Sequence, residues 1–231
     1  MTRAAGSNPI MISVIIPTLN ESHCIRRALD SVRGATEIIV ADGGSTDATV
    51  SISTPMARVV HAQLGRGQQL NAGAAVANGC WLLFLHADAQ LEPDALNQIQ
   101  QLTDRKHIVG GCFQVRCLEP NAPRCVKLIN RMCDWRSSAF GIIYGDQGMF
   151  VRAQVFRRIG GFAPIPLMED LEFSQRLRNA GRTILLRSPI RVSSRRWLRH
   201  GPVRTLVGNW LHQLAYVRGA DPHRLHQAYY E

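Results

Sequence analysis

CWLLFLHADA, residues 80–89, is apolar without interruption from Trp81 to Leu85 and then stops at His86-Ala87-Asp88. A run with no polar alternation reads as a strand buried on both faces of a parallel sheet, and it is too short to cross a bilayer. The stop leaves two side chains able to carry a proton or a metal at the strand's carboxyl end, where open α/β sheets bind ligands. Taken alone, Asp88 reads first as a polar loop residue and second as a cation ligand. The turns elsewhere in the chain reverse that order.

Working outward, Ile10 to Ile16 (IMISVII) is a β-branched buried strand ended by Pro17. His23 to Val32 carries apolar residues at helical spacing, and Glu37 to Ala41 is a second strand. The tight turn Asp42-Gly43-Gly44-Ser45 follows, with Ser45 or Thr46 suited to cap the next helix. A short strand over Ala57 to His61 and an alanine-rich helix over Gln68 to Ala77 lead back to the run at 80–85. Alternating strand and helix predict a doubly wound, mostly parallel sheet. Beyond it the pattern predicts helices over Asp94–Leu102, Arg124–Trp135, Arg152–Ile159, Met168–Ala180, Val203–Val217 and His223–Tyr230. Strands are expected at Val109–Cys117, Thr183–Leu186 and Ile190–Ser193. Residues 1–9 read as a disordered leader and 10–231 as a single domain, with a ligand-binding half to residue 90 and a second half closed by C-terminal helices.

The chain has 231 residues and 27 Lys+Arg against 17 Asp+Glu, a net charge of +10 that favours anionic partners without choosing among them. The six cysteines form no C-x-x-C pair; Cys24 and Cys80 fall in apolar patterns, as reduced core cysteines do, and a disulfide among the other four is the lesser reading. No signal peptide or membrane-spanning run is evident, so the expected location is cytoplasmic, with peripheral contact at the inner membrane left open.

A parallel sheet gathers its strand ends, so Thr18-Leu19-Asn20-Glu21, Asp42-Gly43-Gly44-Ser45, Arg66 with Asn71, and His86-Ala87-Asp88 converge on one crevice. Carboxylates there suit a ribose or a base, and amides at helix starts suit phosphate. In this arrangement VIIPTLNE at 14–21, EIIVADGGSTDAT at 37–49, GRGQQLNAGA at 65–74 and FLHADA at 84–89 resemble the inverting family 2 glycosyltransferases of the GT-A fold. The likeness runs from about Ile10 to about Trp197. The strings FLHAD, YGDQG and MEDLEF resemble, more narrowly, a bacterial subgroup of the arsenosugar-biosynthesis type.

The resemblance implies a Rossmann-like sheet flanked by helices, a nucleotide-diphospho-sugar donor (a UDP-sugar favoured) and a small-molecule or lipid acceptor. It implies that Pro17, Thr18, Asn20, Glu21 and Asp42 cradle the base and ribose, with Arg66 and Asn71 along the phosphates. Asp88 takes the last position of the D-x-D motif and would hold Mg²⁺ or Mn²⁺ on the diphosphate. His86 stands where the motif's first Asp is expected; losing that carboxylate leaves the metal's identity open, and the imidazole could instead meet sugar or phosphate. Asp170, in Met168-Glu169-Asp170-Leu171, would be the general base of a single inverting displacement. In isolation, Glu169 and Asp170 would merely favour a helix N-terminus.

Asp146 and Gln147 read evenly as ligands of acceptor or sugar hydroxyls and as plain turn residues. Arg195-Arg196-Trp197 resembles the diphosphate-contacting basic-aromatic motif, with Arg196 the candidate, against a solvated strand end. His200 is a weak metal candidate. The stripe Leu206, Val207, Trp210, Leu211, Leu214 and Val217 reads as core or homodimer packing before membrane contact. Two other classes compete. A dinucleotide oxidoreductase lacks its G-x-G-x-x-G in the first turn. A basic module binding a nucleotide or a membrane surface without catalysis has the charge, but dispersed arginines and no nucleic-acid motif argue against nucleic acid.

Overall fold

The computed structural model describes residues 11–194, 197 and 201–230; the leader, Arg195, Arg196 and His200 lie outside the described residues. One eight-stranded sheet runs through the molecule. Its first half is β1 (Ile12–Thr18), β2 (Glu37–Asp42), β3 (Arg58–His61) and β4 (Trp81–Phe84), all parallel, with α1 (Ile25–Ser31), α2 (Thr49–Ser53) and α3 (Arg66–Val76) as crossovers. Then come β5 (Ala89–Leu91), α4 (Ala95–Gln100), β6 (Ile108–Cys117), α5 (Arg124–Phe140), β7 (Met149–Arg152), α6 (Ala153–Arg158), α7 (Glu169–Ala180) and β8 (Arg182–Val192). Two helices close the chain, α8 (Pro202–Val217) and α9 (Pro222–Tyr230).

The strand order is β3-β2-β1-β4-β7-β6-β8-β5. β7 inserts antiparallel to both β4 and β6, while β6 and β8 run parallel. Along β4 the side chains alternate between two buried layers: Trp81 and Leu83 pack with α1 and α4, Leu82 and Phe84 with α3, α6 and α7. That two-sided burial is why the run at 81–85 shows no polar alternation.

Four expectations change. Pro17 lies inside β1 rather than ending it, paired with Ala41. Pairing with β4 stops at Ile15 and Phe84, so the missing N–H of Pro17 faces the side where the neighbouring strand has already ended. The two strands expected at 183–193 are one, β8, from which Arg187 and Ser188 loop out: Phe113 pairs with Leu186 and Gln114 with Pro189. Cys80, read with Cys24 as a core cysteine, is exposed at the start of β4, and no disulfide joins any of the six. Ser45 and Thr46 do not cap α2; they bond Asn20 across the neighbouring turn.

Candidate active site

The turns after β1 and β2 are laced together. The buried Asp42 carboxylate accepts from Thr18 Oγ1 (3.2 Å), Ser45 Oγ (2.5 Å) and the Gly44 and Ser45 amides (3.0 and 2.9 Å). Burial alone would raise this carboxyl, but those bonds favour the charged form and hold it below its ordinary value. Four acceptances fill a carboxylate, so Asp42 sets the turn rather than standing free for a ribose. Asn20, at a left-handed φ of 55°, donates its amide to Ser45 Oγ and accepts from the Thr46 N–H. The Glu21 amide donates to Thr49 Oγ1. Gln69, unmarked in the sequence reading, is buried on α3 and donates Nε2 to the Thr18 and Ala41 carbonyls at 2.8 and 3.0 Å. It thereby satisfies the ends of two adjacent strands.

Past β4, His86 and Asp88 meet a second group of residues brought from the far half of the chain. Tyr144 opens a 3₁₀ turn over Gly145–Gln147. The Gly145 amide donates to Asp170 Oδ2 at 2.7 Å, and Asp170 Oδ1 accepts from the Leu171 amide at 2.7 Å. Asp170 lies in the first turn of α7, which begins after Met168, a non-glycine residue at φ 69°. Each Asp170 oxygen thus takes one amide, which aims the carboxylate and leaves acceptor capacity on both. A side chain at Gly145 would come within 3.0 Å of His86 Nε2 and 3.3 Å of Asp170 Oδ2, so it would press both groups back by a few tenths of an ångström.

A cavity of about 260 Å³ joins these elements. Of the residues singled out in the sequence, Arg66, His86, Asp88, Asp146 and Asp170 line it, together with Trp197 of the basic-aromatic motif. A second cavity of about 340 Å³, lined by Cys24, Arg27, Gln90, Leu118 and Glu119, adjoins it through Asp88 and Ser193.

The electrostatics are those of acids crowded together. Desolvation, then repulsion from Asp170 and Asp88 against the pull of Arg136 and Arg66, lifts the Asp146 carboxyl to about 6. Desolvation, and secondly the Arg66 charge, draws the His86 imidazole down to about 3, so the ring is neutral. Glu169 is buried behind the wall and reached by Arg66 Nη1 at 3.4 Å. Burial, then repulsion from Asp170, pushes it above its ordinary value, and Arg66 opposes.

Other expected ligands lie elsewhere. The Asn71 side chain is spent on backbone, donating to the Phe162 carbonyl (2.8 Å) and accepting from the Phe162 amide (2.9 Å). Gln147 is fully buried beneath its turn, its Oε1 accepting from Arg136, Ser137 and the Tyr144 amide. Pro17 and Thr18 end β1, Asn20 and Glu21 stand on the turn after it, and none of the four lines the 260 Å³ cavity.

The sequence reading missed further lining residues: Tyr144 and, from α8, Thr205, Asn209 and Gln213. Their spacing of four residues was visible as a polar helix face. The apolar stripe beside it drew the reading instead, and that stripe is not core. Trp210 is 72 % exposed and Leu211 60 %.

The sequence signature described as Glycosyl transferase family 2 matches residues 13–200. A PGL/p-HBAD biosynthesis glycosyltransferase of Mycobacterium tuberculosis is 38% identical over a stretch covering 38% of this chain and 40% of that protein. An uncharacterized glycosyltransferase of Nostoc is 31% identical over 48% of this chain and 38% of its own length. The chain therefore spans less than half the length of these relatives. Among solved structures, glucosyl-3-phosphoglycerate synthase from M. tuberculosis, with Mn²⁺, UDP and phosphoglyceric acid, superimposes with a TM-score of 0.63 at 19% identity, covering 91% of this chain and 79% of that one. TarS of S. aureus gives 0.62 at 20% identity, covering 79% of this chain and 36% of that one. The signature covers most of the chain and the fold agrees with these enzymes: this protein belongs to glycosyl transferase family 2.

Proposed function

We propose that this glycosyltransferase moves a sugar, with inversion, from a nucleotide-diphospho-sugar to an acceptor hydroxyl, with Asp170 as the general base. The observation that carries the reading is the placing of Asp170 and Asp88 on one cavity at the carboxyl edge of the sheet. The Gly145 amide holds the Asp170 carboxylate at that cavity. The acceptor oxygen bonds to the anomeric carbon while the bond from that carbon to the diphosphate oxygen breaks. The hydroxyl proton passes to Asp170, and the nucleoside diphosphate leaves with the electron pair. One displacement needs one base, and no covalent enzyme intermediate forms.

Arg66 supplies a cation on the same cavity, and His86, neutral, can donate or accept a hydrogen bond to sugar or phosphate. Asp88, with Asp146 raised partly by its charge, fits a hard divalent ion: like charges on one wall are what such an ion relieves. Mg²⁺ or Mn²⁺ held by Asp88 would neutralise the leaving diphosphate. Solved relatives bound to UDP with Mn²⁺ or Mg²⁺ support both the metal and a uridine donor. The Thr18–Glu21 and Asp42–Ser45 turns are the proposed seat of the base and ribose. Trp197 lends support to a diphosphate contact from the adjoining Arg196. The acceptor is a hydroxyl compound, small or lipid-borne; the narrower arsenosugar-type likeness rests on the FLHAD, YGDQG and MEDLEF strings.

Turnover of UDP-sugars with and without Mn²⁺ tests this reading. Asp170→Asn should lower kcat by about 10²- to 10⁴-fold with the donor still bound, the range for a lost general base. Asp88→Ala should abolish the metal dependence of UDP binding. Unchanged turnover in Asp170→Asn removes the base from the mechanism.

A further inference from the structure

Thirteen large hydrophobic residues are exposed among the described residues, and ten of them lie on two helices, α5 and α8. On α8 these are Val203, Val207, Trp210, Leu211, Leu214 and Val217, one stripe at helical spacing. It lies opposite the face whose Thr205, Asn209 and Gln213 line the cavity. On α5 they are Leu128, Met132, Trp135 and Phe140, with the last two rings packed edge to face at 5.3 Å. The two helices meet through Tyr144: the Arg136 guanidinium of α5 lies over its ring at 3.4 Å, and its hydroxyl donates to Gln213 of α8.

The exposed charges on the two helices themselves have one sign. Arg124, Lys127 and Arg131 of α5 are exposed, as are Arg204 of α8 and Arg218 just after it. No acidic residue occurs in Pro202–Val217. The single acid of α5, Asp134, is buried and bonded to Arg116 and the Val115 amide. A second copy of the chain packed on this face about a two-fold axis would bring two equally basic helix pairs together. An anionic bilayer satisfies both features at once, taking the apolar stripe into its acyl boundary and the arginines at its phosphates.

We infer that the outward faces of α5 and α8 dock this enzyme on an anionic lipid surface, with the cavity wall formed by the inner face of α8. Docking does not depend on the chemistry of the cavity. That it brings a lipid-borne acceptor to Asp170 rests on the glycosyl transfer proposed above.

The test is flotation of the full chain with vesicles of phosphatidylcholine containing 30 mol % phosphatidylglycerol, against vesicles of phosphatidylcholine alone. The expected result is binding to the anionic vesicles that falls at least tenfold on the neutral ones and in high salt. Trp210→Glu with Leu214→Glu should abolish binding, and Arg204→Glu with Arg218→Glu should reduce it at least tenfold. All four positions lie outside the cavity lining, so UDP binding and the thermal midpoint should hold in both variants. Absence of binding to anionic vesicles by the wild type overturns the inference. So does a dimer, seen by light scattering, that the Trp210 and Leu214 changes dissolve. Absence of UDP-sugar turnover with binding to vesicles intact would instead strike the catalytic reading and leave docking standing.

Discussion

Asp170 shows how much two amides can decide. A carboxylate at the start of a helix is ordinary electrostatics, and the Leu171 amide on Oδ1 is that kind of contact. The Gly145 amide on Oδ2 is not, because it comes from a turn 25 residues away and ties that turn to the helix. Gly145→Ala should therefore disturb His86 and Asp170 together, lowering kcat by about tenfold or more through misplacement. Steady-state kinetics beside a thermal melt checks this, the melt shifting little. Glu169 carries a pH signature. Its carboxyl is raised in the fold, so the native state binds more protons than the unfolded chain above the ordinary value of 4.5. Stability should decline as pH climbs from there through the raised value, and Glu169→Gln should flatten that decline. Urea unfolding at several pH values between 4.5 and 8 measures the difference in slope.

At the scale of elements, spacing located β1 to β4, β6, β8 and most helices, because burial on one face or two leaves its own period in the sequence. Partners of polar side chains leave no such period. Asn71 sat in a motif and read as a phosphate ligand, yet it clasps α3 to the chain at Phe162, 91 residues on. Asn71→Ala should lower stability by about 1–3 kcal/mol, the cost of stranding two backbone groups. Arg66→Ala, by contrast, should weaken UDP binding more than Asn71→Ala does, since Arg66 alone of the two faces the cavity. Denaturant midpoints and titration with UDP separate them. β5 escaped notice for a different reason: three residues with one polar side chain carry too little pattern, and only pairing with β8 makes them a strand.

Over the whole molecule, the order of β1 to β4 follows from their short crossovers, whereas the place of β7 does not. It returns antiparallel between β4 and β6 and so ties the half bearing Asp88 to the half bearing Asp170. Phe150 is the pin of that seam, fully buried with Trp81 and Phe113 each at a ring distance of 5.7 Å. Phe150→Ala should cost about 3–5 kcal/mol, the usual range for emptying such a site. Both halves should melt in the same transition, seen by tryptophan fluorescence and far-UV dichroism coinciding.

Asp88 is a wall shared by two chambers. Occupants on either side press on one carboxylate, so whatever the first does to the grip on the second is returned in equal measure. Removing that one carboxylate should therefore alter both chambers at once.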